Sequence, residues 1–270
     1  MATRVHAGHT TSLALPAAEL LRSFIRDAAR YADLVLVAVG ADAPHGPALL
    51  AHVSAVADEP DFRGLGLRVL PVQPWGSFNA APAAILTCAL AAGCGLLLFQ
   101  SLEVALPEAA VRALAAELWE GDTLVAGACL EGHAFETGDR ALAGDTCPWN
   151  TAALWCTARL GALGFPAISE TGAGGCGGGV EEVAAVAAAQ ALLGGCAAKL
   201  VRLPPAAGLA WEAEWADAGR AAWHARKMAS KRERPAAQLA ALGPGVAGGV
   251  VVHVDRSAQA LPVAWPGLVR

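Results

Sequence analysis

The stretch AAPAAILTCALAAGCGLLLF, Ala80 to Phe99, decides the fold because it reads in two incompatible ways. It carries no charge and is about as long as a membrane span. Pro82 and two glycines interrupt it, however, and alanine dilutes its drive to insert. A helix over Pro82–Ala92, a turn at Gly93–Gly95 and a buried strand over Leu96–Phe99 account for it better.

With that segment read as helix, turn and strand, its neighbours continue the alternation. SLALP (12–16) reads as a short strand and AAELLRSFIRDAARY (17–31) as an amphipathic helix with Leu20, Leu21, Phe24, Ile25 and Ala28 on one face. DLVLVAVG (33–40) is a continuous β-branched run, as expected for a strand covered on both sides. GPALLAHVSAVAD then reads as helix, LRVLPV as strand, PEAAVRALAAELW as helix and TLVAGACLEG as strand. The pattern implies an α/β fold, a mostly parallel, Rossmann-like central sheet flanked by helices. No repeat and no long polar linker divides the chain. Residues 1–242 read as one domain that includes a C-terminal basic helix, and 243–270 as a glycine-rich linker with a late strand packed on it.

Composition narrows the function classes. The 270 residues carry a formal net charge of −5, which gives no electrostatic footprint for nucleic acid. Charged residues are 16% and hydrophobic ones 55%, so the chain is expected to fold around a large core. The seven cysteines form no C-x-x-C pair and have no histidine at zinc spacing. They suit a reducing compartment, and the N-terminus lacks the layout of a signal peptide, so a cytoplasmic protein without a transmembrane segment is expected.

In open α/β sheets ligands bind beyond the carboxyl ends of the strands. The segment ETGAGGCGGGVEEVA, Glu170 to Ala184, sets six glycines before two acids. Gly172, Gly174 and Gly177 satisfy G-x-G-x-x-G, but LGFPAISET before them is a poor strand and no acid follows at the ribose-binding distance. No G-K-[ST] closes the run either. Either a mobile lid or plain slack remains, and Glu181 and Glu182 then open a strong helix, where the macrodipole favours acids in any case.

The order of these segments resembles the GT-A fold of nucleotide-sugar-dependent glycosyltransferases, the family-2 type in particular. SLALPAAELLRSFI, DLVLVAVGADAPHG, CALAAGCGLLLFQSLEV, WNTAALWCTARLGALGF and GGGVEEVAAVAAAQALLGG look like five of its elements in the right order, over roughly residues 11 to 203. The resemblance implies sugar transfer, inverting at the anomeric carbon, from a UDP- or GDP-linked donor to an acceptor hydroxyl. It puts Glu182 at the general-base position with Glu181 as its partner. It puts Gln100, Ser101 and Glu103 at the donor-side D-x-D place, with Asp42 a few residues late after the second strand. Apart from the resemblance, Asn79 in QPWGSFN follows the third strand and could touch the base or ribose, and in CPWNTAALW the rings of Trp149 and Trp155 and the amide of Asn150 could meet an acceptor sugar, with aromatic core packing as the plain alternative.

The family's D-x-D element is degenerate here. Gln100 and Leu102 replace its aspartates in one register, and Ser101 and Glu103 replace them in the other. Glu103 is then the single carboxylate available to Mg²⁺ or Mn²⁺, a thin site. Cations could meet the diphosphate instead. WADAGRAAWHARKMASKRERP (215–235) offers Arg220, His224, Arg226, Lys227, Lys231 and Arg232 at roughly helical spacing, and His224, Arg226 and Lys227 are the expected diphosphate contacts. The plain alternative is a solvated basic face. Two further readings stay open: a sugar-nucleotide-binding relative without catalysis, and a nucleotidyltransferase. The latter lacks its glycine-rich basic loop in LALPAAELL.

Overall fold

A computed structural model describes residues 1–6, 15–42, 44–76, 78–119, 121–170, 178–211, 229, 231, 233–243, 245–246, 248–262 and 265. The first strand, β1, is Ala2–Val5. Of the expected strand at SLALP, Leu15 and Pro16 are irregular, and residues 12–14 lie outside the described ones. Helix α1, Ala18–Ala28, buries Leu21, Phe24, Ile25 and Ala28. Leu20, expected on that face, is instead 38% exposed.

Strand β2, Val35–Gly40, is buried at every position. Each fully covered valine or leucine in it contributes about 1.5–3 kcal/mol relative to exposure. Helix α2, Gly46–Ala57, leads to β3, Leu67–Val72, which lies at the sheet edge and so tolerates Pro71. The stretch with two readings resolves into α3, Ala80–Ala91, and β4, Leu96–Gln100. The helix stops at a left-handed Gly93 (φ 72°), and no described helix is long and apolar enough to cross a membrane.

The chain continues through β5 (Val104–Ala105), α4 (Glu108–Trp119), β6 (Thr123–Ala128), β7 (Gly138–Ala141), β8 (Ala152–Cys156) and α5 (Thr157–Leu163). Helix α6 (Glu181–Leu192), β9 (Ala197–Arg202), β10 (Ala210–Trp211), a helix α7 over residues 233–242 and β11 (Val250–Asp255) complete it. Nine strands form one sheet in the order β3-β2-β1-β4-β8-β6-β9-β11-β7, while β5 pairs with β10. Strands β1, β2, β3, β4, β6, β9 and β11 share a direction, and β8 and β7 run against it. The fold is therefore α/β with a mostly parallel sheet. The late strand β11 is inserted between β9 and β7, within the sheet.

Two apolar layers sandwich the sheet. One joins Leu21, Phe24, Leu49, Val53 and Leu114 of α1, α2 and α4 to Val35, Val37 and Val39. The other joins Ile85, Leu160, Val183 and Val186 of α3, α5 and α6 to Leu36, Phe99 and Trp155. From β1 the chain winds outward through β2 to β3, then returns across the other face through α3 to β4. Right-handed crossovers require that change of face. The order reverses between β1 and β4, and crevices open at such switch points beyond the carboxyl ends of the strands.

Candidate functional site

The acid pair lies at that rim. Strand β8 is antiparallel to β4, with Ala152 opposite Gln100, so Asn150 just before β8 stands at the carboxyl end of β4. The Asn150 backbone N–H donates to Glu182 Oε1 at 2.5 Å, and its side-chain Nδ2 donates to Glu181 Oε1 at 3.3 Å. Arg4, near the end of β1, donates from Nη1 to the same Glu181 oxygen at 2.8 Å. Both carboxylates are buried, Glu181 at 4% and Glu182 at 6% exposure. Burial foremost, and then the Glu181 charge, push the Glu182 carboxyl up to about 7, against the opposing pull of Lys231. A carboxyl in that range exchanges a proton at neutral pH, which is what a general base needs.

The backbone ahead of α6 is strained to deliver them. Val180, the residue before the helix, is left-handed at φ 57°, a conformation unfavourable for a β-branched side chain. Neighbours hold it there: Gly179 N–H donates to Ser169 O at 2.8 Å, Arg234 Nη1 to Gly178 O at 2.8 Å, and Gln238 Nε2 to Gly179 O at 2.8 Å. Helix α7 thus pins the end of the glycine segment. Residues 171–177, with Gly172 and Gly174, lie outside the described residues, so lid and slack stay undivided there.

Lys231 comes from the expected basic segment. Its Nζ sits 3.4 Å from the Trp149 ring centroid, a cation–π contact. The chain at Lys231 also runs so close to Gly144 that a Cβ there would overlap the Lys231 carbonyl. His133 stacks on Trp149 at 3.7 Å. The Leu130 N–H donates to its Nδ1, leaving Nε2 to donate to the Cys147 carbonyl, and burial lowers the ring's pKa to about 3. Burial likewise raises the Cys147 thiol. Arg220, His224, Arg226, Lys227 and Arg232 lie outside the described residues.

The expected acceptor tryptophans are corrected. Trp149 is 1% and Trp155 0% exposed, so neither ring offers a face to a sugar. Trp149 Nε1 donates to Gly144 O at 2.6 Å, and Trp155 Nε1 donates to Asn150 Oδ1 at 2.9 Å. Both ends of the Asn150 amide are engaged, Nδ2 by Glu181 and Oδ1 by Trp155.

The donor-side residues occupy the same rim, each tied differently. Asp42 follows β2 and accepts the Trp75 N–H at 2.7 Å, which holds that half-buried indole 5.3 Å from the His6 ring. Asn79 precedes α3 and donates from Nδ2 to Pro166 O at 2.8 Å, while its buried Oδ1 has no partner among the described residues. Glu170 accepts the N–H groups of Phe78 and Asn79, binding the start of the glycine segment to this turn. Ser101 N–H donates to Thr151 O at 3.0 Å. Gln100 donates from Nε2 to Val104 O at 2.7 Å, and among the described residues its Oε1 has no partner. Glu103 is exposed in the turn that follows.

This set does not fit Mg²⁺ or Mn²⁺. Gln100 supplies one neutral oxygen, Leu102 none, and among the described residues no group of three or more acid, histidine or cysteine side chains could hold a metal ion. A concavity of about 540 Å³ at the amino end of β3, lined by Ser54, Asp58, Phe62, Arg63 and Leu65 among others, holds none of the candidate residues.

Arg4 is a site neighbour that the sequence did not mark, and Lys231 stood there only as one cation of the basic segment. Thr3 and Val5, β-branched on either side of Arg4, were the available signal for β1. Lys231 was one cation among several, and nothing in its spacing set it apart.

No protein-family model matches the chain, and no curated protein matches it. Among solved structures it is similar to the mannosyltransferase PcManGT from Pyrobaculum calidifontis in complex with GDP-Man and Mn²⁺, at 16% identity and a TM-score of 0.43. The match covers 72% of this chain and 52% of the other, so the chain spans about half the length of that protein. A likeness of that size establishes neither activity nor ligand.

Proposed function

We propose that the protein transfers a sugar from a nucleoside-diphosphate sugar to an acceptor hydroxyl, with Glu182 as general base. One observation carries this reading: a buried carboxylate at the switch-point rim, held by the Asn150 N–H, with a proton affinity raised to about 7. The ordered resemblance of five segments to GT-A enzymes supports the substrate class. In the reaction the acceptor oxygen bonds to the anomeric carbon as Glu182 takes its proton. The bond from that carbon to the diphosphate breaks, and the diphosphate leaves with the electron pair. A single displacement of this kind inverts the anomeric centre.

Asp42, Asn79, Gln100 and Ser101 are proposed as donor contacts along the rim. The leaving charge needs cations; Lys231 is proposed as one, with His224, Arg226 and Lys227 preceding it in the chain. Among the described residues the donor set does not form a site for a divalent cation.

Thermal-shift titration with UDP- and GDP-sugars, with and without Mn²⁺, tests the reading. A shift with a sugar nucleotide that Mn²⁺ does not enlarge is expected, together with slow donor hydrolysis that Glu182→Gln reduces by about 100-fold or more. Binding without turnover in the wild type would assign a non-catalytic sugar-nucleotide-binding protein. No shift with any sugar nucleotide would overturn the proposal.

A further inference from the structure

The two neighbouring acids are not held alike. Glu181 Oε1 takes two donors, Arg4 Nη1 from β1 and Asn150 Nδ2 from the turn before β8. Glu182 Oε1 takes the Asn150 backbone N–H. Asn150 is fixed in turn by the Trp155 indole, which is 0% exposed. One asparagine therefore ties both carboxylates to the central sheet, and an arginine on the switch-point strand ties only one of them. Adjacent buried carboxylates with no such bias share protons as a pair. A cation on one side of the pair breaks the symmetry.

We propose that Arg4 and Asn150 are positioning residues that commit Glu181 to a structural ion pair and so leave Glu182 as the member of the pair that acts on the ligand. The inference rests on Glu182 being the general base. The assignment gives Arg4 a role unlike that of the expected diphosphate cations, because its partner is a carboxylate of the protein. Among the described residues, the groups that face Glu182 are Glu181 on its own helix, Asn150 before β8, Cys147 in the same turn region, and Lys231 from the C-terminal segment. Asn150 also donates to Glu181 from its side chain. Arg4 is the cation bonded to that acid. Removing either one therefore changes the pair without touching the Glu182 side chain itself.

The test uses the full chain with ¹³C-labelled glutamate carboxyls, followed by NMR from pH 4 to 9 in the wild type, Arg4→Ala, Arg4→Lys and Asn150→Ala. In the wild type and Arg4→Lys, Glu182 is expected to titrate in one step. In Arg4→Ala the step is expected to split in two, as the acids begin to share a proton. Asn150→Ala is expected to shift the Glu182 midpoint by at least half a pH unit. An unchanged Glu182 titration in a folded Arg4→Ala protein would overturn the proposal; if that variant does not fold, the same curve in Asn150→Ala decides. Where turnover is measurable, Arg4→Ala should lower kcat by about 100-fold with little change in KM, partly rescued by Arg4→Lys. Titrations that behave as expected in a protein with no turnover and no sugar-nucleotide binding would retain the Arg4–Asn150 support and reject the proposed reaction, so the two failures are distinguishable.

Discussion

Glu182 couples stability to chemistry in a way that can be measured without a substrate. Its carboxyl is raised from 4.5 to about 7, chiefly by burial, so the folded state holds a proton that the unfolded chain releases above pH 4.5. The cost is absent below pH 4.5, grows as the pH rises from there, and is complete above about 7. His133 works in the opposite sense. Its ring is lowered from 6.5 to about 3 by burial, so acid protonates the unfolded chain first, and stability is lost as the pH falls below 6.5. Between 4.5 and 6.5 the two slopes oppose each other. Glu182→Gln removes one of them. Urea unfolding should show this variant more stable than the wild type at pH 8, equal to it near pH 4, and steeper in its acid loss between. The same substitution is the one proposed to slow turnover by about 100-fold or more, a trade of stability for function.

At the scale of elements, the informative piece is the passage from the glycine segment into α6. Gly179 and Gly93 are both left-handed, at φ 99° and 72°, but their surroundings differ. A Cβ at Gly179 would come 3.1 Å from the Phe78 ring and 3.2 Å from Arg234, whereas at Gly93 nothing lies within 4 Å. Gly93→Ala should therefore cost only the backbone strain, about 1–2 kcal/mol. Gly179→Ala adds close contacts with the Phe78 ring and the Arg234 guanidinium and should cost visibly more, with both read from denaturant midpoints at constant slope. Equal losses would mean that neither neighbour presses on this turn. The pressure matters because Val180 keeps its left-handed conformation only while neighbours hold it, and the direction of the α6 first turn follows from that residue.

At the scale of the molecule, β11 makes the C-terminal region part of the sheet. It pairs with β9 from Val251 to Asp255 and with β7 from Val250 to His253. His253, 1% exposed, joins Thr146 O and the Glu136 N–H across that edge, and Arg256 reaches Glu117 at 2.6 Å. Truncation after Gly243 would leave β9 with an open edge and strand β7 without a neighbour. The truncated chain is expected to be largely insoluble, with loss of the cooperative thermal transition in circular dichroism. A soluble product with an unchanged melting temperature would show that β11 is an appendage.

Much of the sheet was legible from residue order alone. The run Val35–Val39 has no polar position, so only a strand covered on both faces accommodates it, and Ala80–Phe99 carries its own punctuation in Pro82 and Gly93. The helix opening at Glu181 was legible for the same reason, since acids and a following apolar run mark a first turn. Strand β1 was not: four residues with an arginine among them carry no periodic signal, and they pair with β2 and β4 only because the chain returns to them from far away. Nor could residue order tell that Trp149 and Trp155 lie inside, since an indole beside a cap reads the same whether it faces a ligand or the core. Local sequence determined most of the helices and the buried strands such as β2 and β4. Only the tertiary structure decided that Arg4, Asn150 and Glu181 meet, because they are separated by 31 and 177 positions and hydrogen bonds of that reach exist only after the sheet has closed around them.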